Sequence, residues 1–450
     1  MSEVQFEHTE TFQGGEASGH LQLGKLEALY QELYVAVIAD GIITQDERAQ
    51  LDQMADTFGL DRARLHQLED ALEAAYQAAH HPGEHVAVDI DLSELTSGAP
   101  STSTPKAALS DVGYELHRHL EANPRDESSL HALFRFYEGA GDRDRAWCIA
   151  HVLAHLGATD PAERACFDAH ESTILIRPTQ SLDARAWQQL VSHPDEDPHV
   201  GAIFGVVAPA VLLGRLSALR RDKQLPSFDP KAKQDPKLST IQAVRCFSWA
   251  AAILGTASPD LYVEPDQPHA VELIPAIPPA LRLGAPALSG RTTEELAFLA
   301  GRHLAYFREE HIVLRLVPSI ANLEQIFLAA LHIGNPELPP PTNPLVVHIA
   351  HAIEPLLDPA ALDRLRTHVR RFIEAGGRAN LQHWEAAVHK TAARAAFLLS
   401  NDLRAARAML ELEDQAAPMD DLLLFATSDR YAELRRNAGI TILNAKGRTA

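Results

Sequence analysis

The sequence predicts a mainly α, multidomain protein: a helical bundle, a set of repeat-like helices, and an α+β region with one small antiparallel sheet. Three observations carry this prediction. Apolar residues recur at helical spacing over most of the chain. The period gives way to short apolar runs separated by Pro and Gly only around residues 261–283. A chain of 450 residues with 46% hydrophobic content exceeds what one core usually serves. The expected organisation is a disordered tail over 1–23, a bundle over 24–80, a flexible linker over 81–106, repeat-like helices over 107–172, a larger domain over 173–443, and a tail over 444–450.

The bundle starts with Leu26, Leu29, Leu33 and Val37 at helical spacing, ending at Asp40-Gly41. Thr44-x-x-Glu47 is a capping box that opens a second helix with Leu51, Met54, Ala55 and Phe58, and Asp61 caps a third carrying Leu65, Leu68, Leu72 and Tyr76. From His81 to Lys106 the composition is that of a linker. Within it Val86–Leu92 alternates, so it has the option of adding a strand to a sheet edge, but a solvated linker is the expectation. Helical periodicity resumes at Leu116 and Leu120, turns at Asn123-Pro124, and runs through Leu130, Leu133, Phe134 and Tyr137, then Ala146, Ile149, Ala150, Leu153 and Leu156. Asp160-Pro161-x-Glu163 reads as cap, first-turn proline and capping-box acid of one more helix. Helices are expected at 182–192, 200–221, 240–254 and 293–310, continuing past a proline-rich break at 338–344 to about Glu413. The runs 261–263, 270–274 and 280–283 are the expected strands, Asp222–Lys237 a surface loop, and Gly376-Gly377 a helix stop.

A formal net charge of −21 repels phosphate backbones and anionic lipid, so neither nucleic acid nor membrane insertion is expected. The segment Val200–Leu213 carries Gly201, Gly205 and Pro209, is too short to span a bilayer, and reads as a buried helix. Cys148, Cys166 and Cys246 lack C-x-x-C spacing, which points to a reducing compartment and a cytoplasmic location. The N-terminus lacks a signal-peptide pattern. No Gly-x-Ser-x-Gly elbow, phosphate loop or dinucleotide fingerprint is present in the sequence.

Three resemblances follow from particular residues. Asp40-Gly41-Ile42-Ile43-Thr44-Gln45-Asp46-Glu47, with Leu51, Ala55, Phe58 and Gly59-Leu60, resembles the tellurite-resistance TerB-like domain. That resemblance implies a helical domain with Asp40, Asp46 and Glu47 as a possible cation site. The competing reading of the same residues is a helix end followed by acids that complement a helix dipole. Leu133, Tyr137 and Ala146 keep the spacing of the tetratricopeptide repeat, which implies a hairpin that stacks on neighbouring helices or binds a partner through those residues.

The third resemblance is to the CAAX-prenyl-protease and heat-shock zinc metallopeptidase family, carried by Pro268-His269-Ala270, Glu294-Glu295-Leu296 and Glu309-Glu310-His311. In that family a His-Glu-x-x-His helix binds zinc and activates water. The matching positions here are Arg302, His303 and Tyr306, and the third-ligand glutamate corresponds to Thr391 in Thr391-Ala392-Ala393-Arg394. A permanent cation, an out-of-register histidine, a phenol and a hydroxyl do not make a zinc site. The same half of the chain is similar to large bacterial proteins of myxobacterial type that join repeat-like helices to such a region. His303 with His311, His348 with His351, and His383 with His389 are the closest histidine pairs, and with 23 histidines such pairs are expected by chance.

The expected function is therefore that of a non-catalytic cytoplasmic adaptor or scaffold, a pseudoenzyme without cofactor or metal. It would bind a protein partner through Leu133, Tyr137, Ala146 and Arg302, with Arg302 and Tyr306 facing a cleft lined by the 270–274 strand, and a homo-oligomer is possible. The alternatives are a metal-dependent hydrolase with displaced ligands such as His303, His311 and an acid, and a metal- or stress-response sensor acting through the TerB-like acids.

Overall fold

Short capping signals set most helix starts. In this computed structural model, which describes residues 90–91, 111–170, 175, 181–317, 319–415 and 417–442, four helices come first: α1 Asp111–Ala122, α2 Glu127–Gly139, α3 Arg143–Leu156 and α4 Pro161–His170. Asp126 accepts from Ser129 N, and Asp142 from Arg145 N. Asp160 accepts from Glu163 N at 2.9 Å while Glu163 accepts from Asp160 N at 2.7 Å, which is the expected capping box. The expected bundle over 24–80, with Asp40, Asp46 and Glu47, lies outside the described residues.

The repeat-like hairpin α2–α3 stacks on its own chain. α3 packs against α12 (Leu403–Leu412) and α13 (Met419–Thr427), and a last helix, α14 (Asp429–Asn437), sends Arg435 back to Asp144 at 2.8 Å. Arg435 also donates to Asn401 at 2.8 Å and stacks on the Trp147 ring. One continuous hydrophobic cluster runs from Leu120 to Ala438. The expected boundary near residue 172 is thus not a break in packing.

Behind α4, a short helix Ala184–Ala186 continues as a π turn, Trp187–Val191. The long helix α5, Pro198–Arg221, is capped by Asp197 with Pro198 in the first turn. It starts two residues before the expected 200–221 helix; with 24 residues and an 18-residue window of mean hydropathy 1.9 it is, among the described residues, the one helix long and apolar enough to cross a membrane. It nonetheless serves as a core helix, with most of its side chains buried against α8 (Ile320–Gly334), α9 (Pro344–Ile353) and α10 (Pro359–Glu374).

The sheet is mixed rather than antiparallel. Its order is β2-β3-β5-β4, with β2 Lys233–Gln234, β3 Asp260–Val263, β4 Val271–Ile274 and β5 Ala280–Leu283. After β3 the chain crosses to the far edge, forms β4, and returns through a hairpin so that β5 lies parallel between β3 and β4. β2, inside the expected surface loop, adds the antiparallel edge. A second pairing joins β1, Ile90–Asp91, to β6, Arg378–Ala379, with Asp91 opposite Arg378. The alternating 86–92 segment therefore contributes a strand instead of remaining wholly a solvated linker.

At the centre, α7 (Thr293–Ala305) starts at a Thr292/Glu295 capping box and lies between α6 (Gln242–Leu254) and α11 (Leu381–Ser400). Leu296–Ala305 are all buried, so α7 has no solvent face after its first turn. It ends five residues earlier than expected. Gly376 and Gly377 take φ of 114° and 63° and stop α10, as expected.

Candidate functional site

The two helices that would carry the ligands of a metallopeptidase, α7 and α11, cross in direct contact. A Cβ on Gly301 would sit 2.7 Å from Ala396 Cα and 2.9 Å from Leu399 Cδ1, so only glycine permits this approach. Arg302, His303, Tyr306 and Thr391 are all buried at this crossing, and Arg302 is 3% exposed.

Arg302 does not open onto the 270–274 strand. Its Nη1 donates to Glu413 Oε2 at 2.8 Å and its Nη2 to Gln415 Oε1 at 3.3 Å. His303 Nε2 meets the other oxygen, Glu413 Oε1, at 2.6 Å. Glu413 lies at the end of α12, where Asp414 adopts a φ of 55° and turns the chain over α7. Burial works against the Glu413 charge, yet His303 and Arg302 hold its carboxyl down at about 2. Burial outweighs Glu413's pull on His303 and lowers its pKa, so His303 is the neutral donor through Nε2–H.

Tyr306 caps α7, and its hydroxyl is 2.5 Å from His389 Nδ1, with the Arg315 guanidinium over the phenol ring. Burial first, then Arg302 and Arg315, push His389 down to about 4, so it is neutral and accepts from the tyrosine. Thr391 donates to Glu196 Oε2 at 2.5 Å and accepts from His193 N at 2.8 Å. Glu196 thereby places a carboxylate beside Thr391, but it is spent on His311, 2.6 Å from its other oxygen. His311 is fully buried and its second nitrogen lies 3.1 Å from Ala305 O. A carboxylate and a carbonyl both only accept, so His311 is the doubly protonated imidazolium. Its pKa is raised: burial opposes the charge and Glu196 overcomes it. The bond to Ala305 O also satisfies a terminal carbonyl of α7, which explains the early helix end.

A second buried cluster adjoins. Arg394 makes two bonds of 2.8 and 2.7 Å to Asp421 on α13, and His193 Nε2 reaches the same carboxylate at 3.1 Å. Burial opposes the Asp421 charge, but His193 and Arg394 hold it at about 2.

The other expected site residues are core. Leu133, Tyr137 and Ala146 are buried, so none presents itself to a partner; Tyr137 OH is tied to His117 at 2.8 Å. His348 and His351 are exposed, and His383 pairs with Asp195 at 3.3 Å. Burial pushes Cys148 and Cys246 up to about 12, which makes them poor nucleophiles. The sequence reading did not find Glu413, Glu196, Asp421 or Gln415 as partners, because each acts across more than 25 residues and leaves no local spacing.

One group among the described residues has metal-like spacing: ligand atoms of His131, Asp160 and Glu163 lie within 4.8 Å of one another. His131 Nδ1 is 2.6 Å from Glu163 Oε1, the other Glu163 oxygen accepts from Asp160 N, and Asp160 Oδ1 caps Ala162 and Glu163. The group sits on the positive end of α4, which favours anions over a cation. It is a reinforced capping box. Comparison with known proteins finds no family model, no curated protein and no solved structure that matches this chain.

Proposed function

We propose that this chain is a non-catalytic scaffold in which the frame of a metallopeptidase is kept as a packing motif and a protein partner binds elsewhere on the surface. The observation that carries this reading is the capture of Arg302 and His303 by the chain's own Glu413. Catalytic zinc needs three metal-binding side chains and an open position. Here a permanent cation occupies the first ligand position, its counter-charge comes from α12, and the third position holds a hydroxyl already bonded on both sides.

With the repeat residues and Arg302 buried, the partner surface is assigned to the end of the sheet where Leu238 (80% exposed) and Ile277 (68%) project. Strand register places both there: Gln234 pairs with Leu261, Asp260 with Ala280, and Ala280 with Ile274, so the loops after β2 and β4 leave from one end. Elemental analysis of the chain purified without chelator, alongside a peptide-hydrolysis assay, tests the non-catalytic part. The expected result is no stoichiometric transition metal and no turnover above that of Arg302→Ala. One metal per chain that disappears in His303→Ala would overturn the reading and restore a hydrolase with displaced ligands.

A further inference from the structure

We infer that the acidic N-terminal portion of this chain, residues 24–80, docks on the basic flank of α10 formed by Arg364, His368 and Arg371. This surface is separate from the sheet tip and does not depend on the scaffold reading.

The flank follows from helical spacing. Ala361, Leu365, Val369 and Phe372 are the buried face of α10. Asp363 and Glu374 project on the side away from it, where they pair with Arg366 at 3.3 Å and Arg370 at 3.8 Å. Residues 364, 368 and 371 fall one turn apart along the opposite flank, and the nearest acid on α10, Glu374, is paired with Arg370. Arg364 and Arg371 are exposed, and among the described residues neither has an ion-pair partner. His368 lies between them, its pKa lowered by burial and then by Arg371, Arg364 and His199 from the first turn of α5. Arg364 and Arg371 thus present two exposed positive charges on this flank that no ion pair among the described residues neutralises.

The occupant is specified by charge and by tether. Residues 24–80 hold 11 acidic and 4 basic side chains, and residues 1–95 hold 19 and 4, a net of −15 out of the chain's −21. The remaining 355 residues carry only −6. The β1–β6 pairing fixes Ile90 opposite Ala379, five residues beyond the end of α10. The nine residues 81–89 span at most about 30 Å when extended. α10 is about 24 Å long, so its whole flank lies within reach. A tether of this length gives an effective concentration in the mM range, enough for a modest ionic contact to be occupied. No external acidic partner has that advantage.

Small-angle scattering of the full chain tests the inference. At about 0.01 M salt, where charges act over ~30 Å, the wild type is expected near a radius of gyration of about 22 Å, rising by roughly 4 Å at about 1 M salt. Arg364→Glu with Arg371→Glu is expected to show the larger radius at both salts, with unchanged circular dichroism. Arg366→Glu with Arg370→Glu changes net charge equally on the acid-paired side and is expected to behave as wild type. Equal radii for wild type and the first pair at low salt would overturn the proposal, as would equal expansion in both pairs. A concentration-dependent mass increase lost only in Arg364→Glu with Arg371→Glu would overturn it in favour of a second copy as occupant.

Discussion

Glu413→Gln is the most informative single change, because one carboxylate compensates Arg302 and anchors His303. The glutamine keeps the shape and one acceptor but leaves the buried guanidinium without a counter-ion. The depression of the Glu413 carboxyl from 4.5 to about 2 corresponds to about 3 kcal/mol. Direct breakage of buried pairs costs about 3–5 kcal/mol, and the residual 17% exposure of Glu413 places this one at the lower end. Because the folded-state pKa lies below the unfolded one, this contribution is fully present above about pH 4.5 and is lost as pH falls toward 2. Denaturant and thermal unfolding followed by circular dichroism should show a deficit of ~3 kcal/mol at pH 7, about 4 °C in Tm for a body of this size, shrinking steadily below pH 4.5. Replacing Arg302→Met, His303→Phe and Glu413→Leu together removes every charge at once and should recover most of the loss. A deficit under about 0.5 kcal/mol, or one independent of pH, would refute the assignment of this cluster as an internally compensated ionic core.

Four further outcomes follow from the same geometry. Wild type should exceed His311→Gln in stability most between about pH 4.5 and 6.5, since the raised His311 contributes below its unfolded pKa and the lowered Glu196 above its own; a flat difference from pH 4 to 9 would count against the ion pair. Gly301→Ala should lose about 1–3 kcal/mol by thermal unfolding, because its Cβ meets the Ala396 backbone rather than a flexible side chain. Asp144→Asn should cost about 3 kcal/mol and selectively raise hydrogen exchange in α14, whose Arg435 it anchors; uniform exchange would contradict that role. Leu133→Ala should lose about 2–5 kcal/mol as a core cavity does, and a surface-like loss below 0.5 kcal/mol would return this residue to a partner interface.

What the sequence made readable was local. The Asp160/Glu163 box, the Gly376-Gly377 stop, and the pairing of α2 with α3 all depend on residues a few positions apart. Strand existence was readable too, while strand order was not: three apolar runs of similar length carry no mark of which lies in the middle, and two-residue β2 is too short to alternate. α13 and α14 escaped for opposite reasons. In Met419–Thr427 two acids precede the contiguous apolar run Leu422–Ala426, too short to show a helical period, and Asp429–Asn437 is a short polar stretch. Both are held by tertiary partners, Asp421 by Arg394 and Arg435 by Asp144, that lie 27 and 291 residues away.

The misplacement of Arg302 has a cause within its own helix. An open cleft needs α7 to keep one face toward solvent, but Leu296–Ala305 reads Leu-Ala-Phe-Leu-Ala-Gly-Arg-His-Leu-Ala, apolar on every side except at two adjacent positions. A helix apolar all round is buried all round, and adjacent positions lie about 100° apart, so Arg302 and His303 leave α7 in different directions and meet only through a group that reaches in between them. Buried donors on neighbouring faces must then find acceptors supplied by other elements. A carboxylate has two oxygens, and Glu413 spends one on each residue. The same requirement governs the rest of the crossing. Gly301 holds α7 against α11, and that contact brings Tyr306 to His389 as its consequence. Thr391, on the same helix, is met from the other side by Glu196 of the segment leading into α5. Arg302, His303, Tyr306 and Thr391 are each satisfied by an internal partner, so the polar groups of this crossing fix how α7 packs among its neighbours.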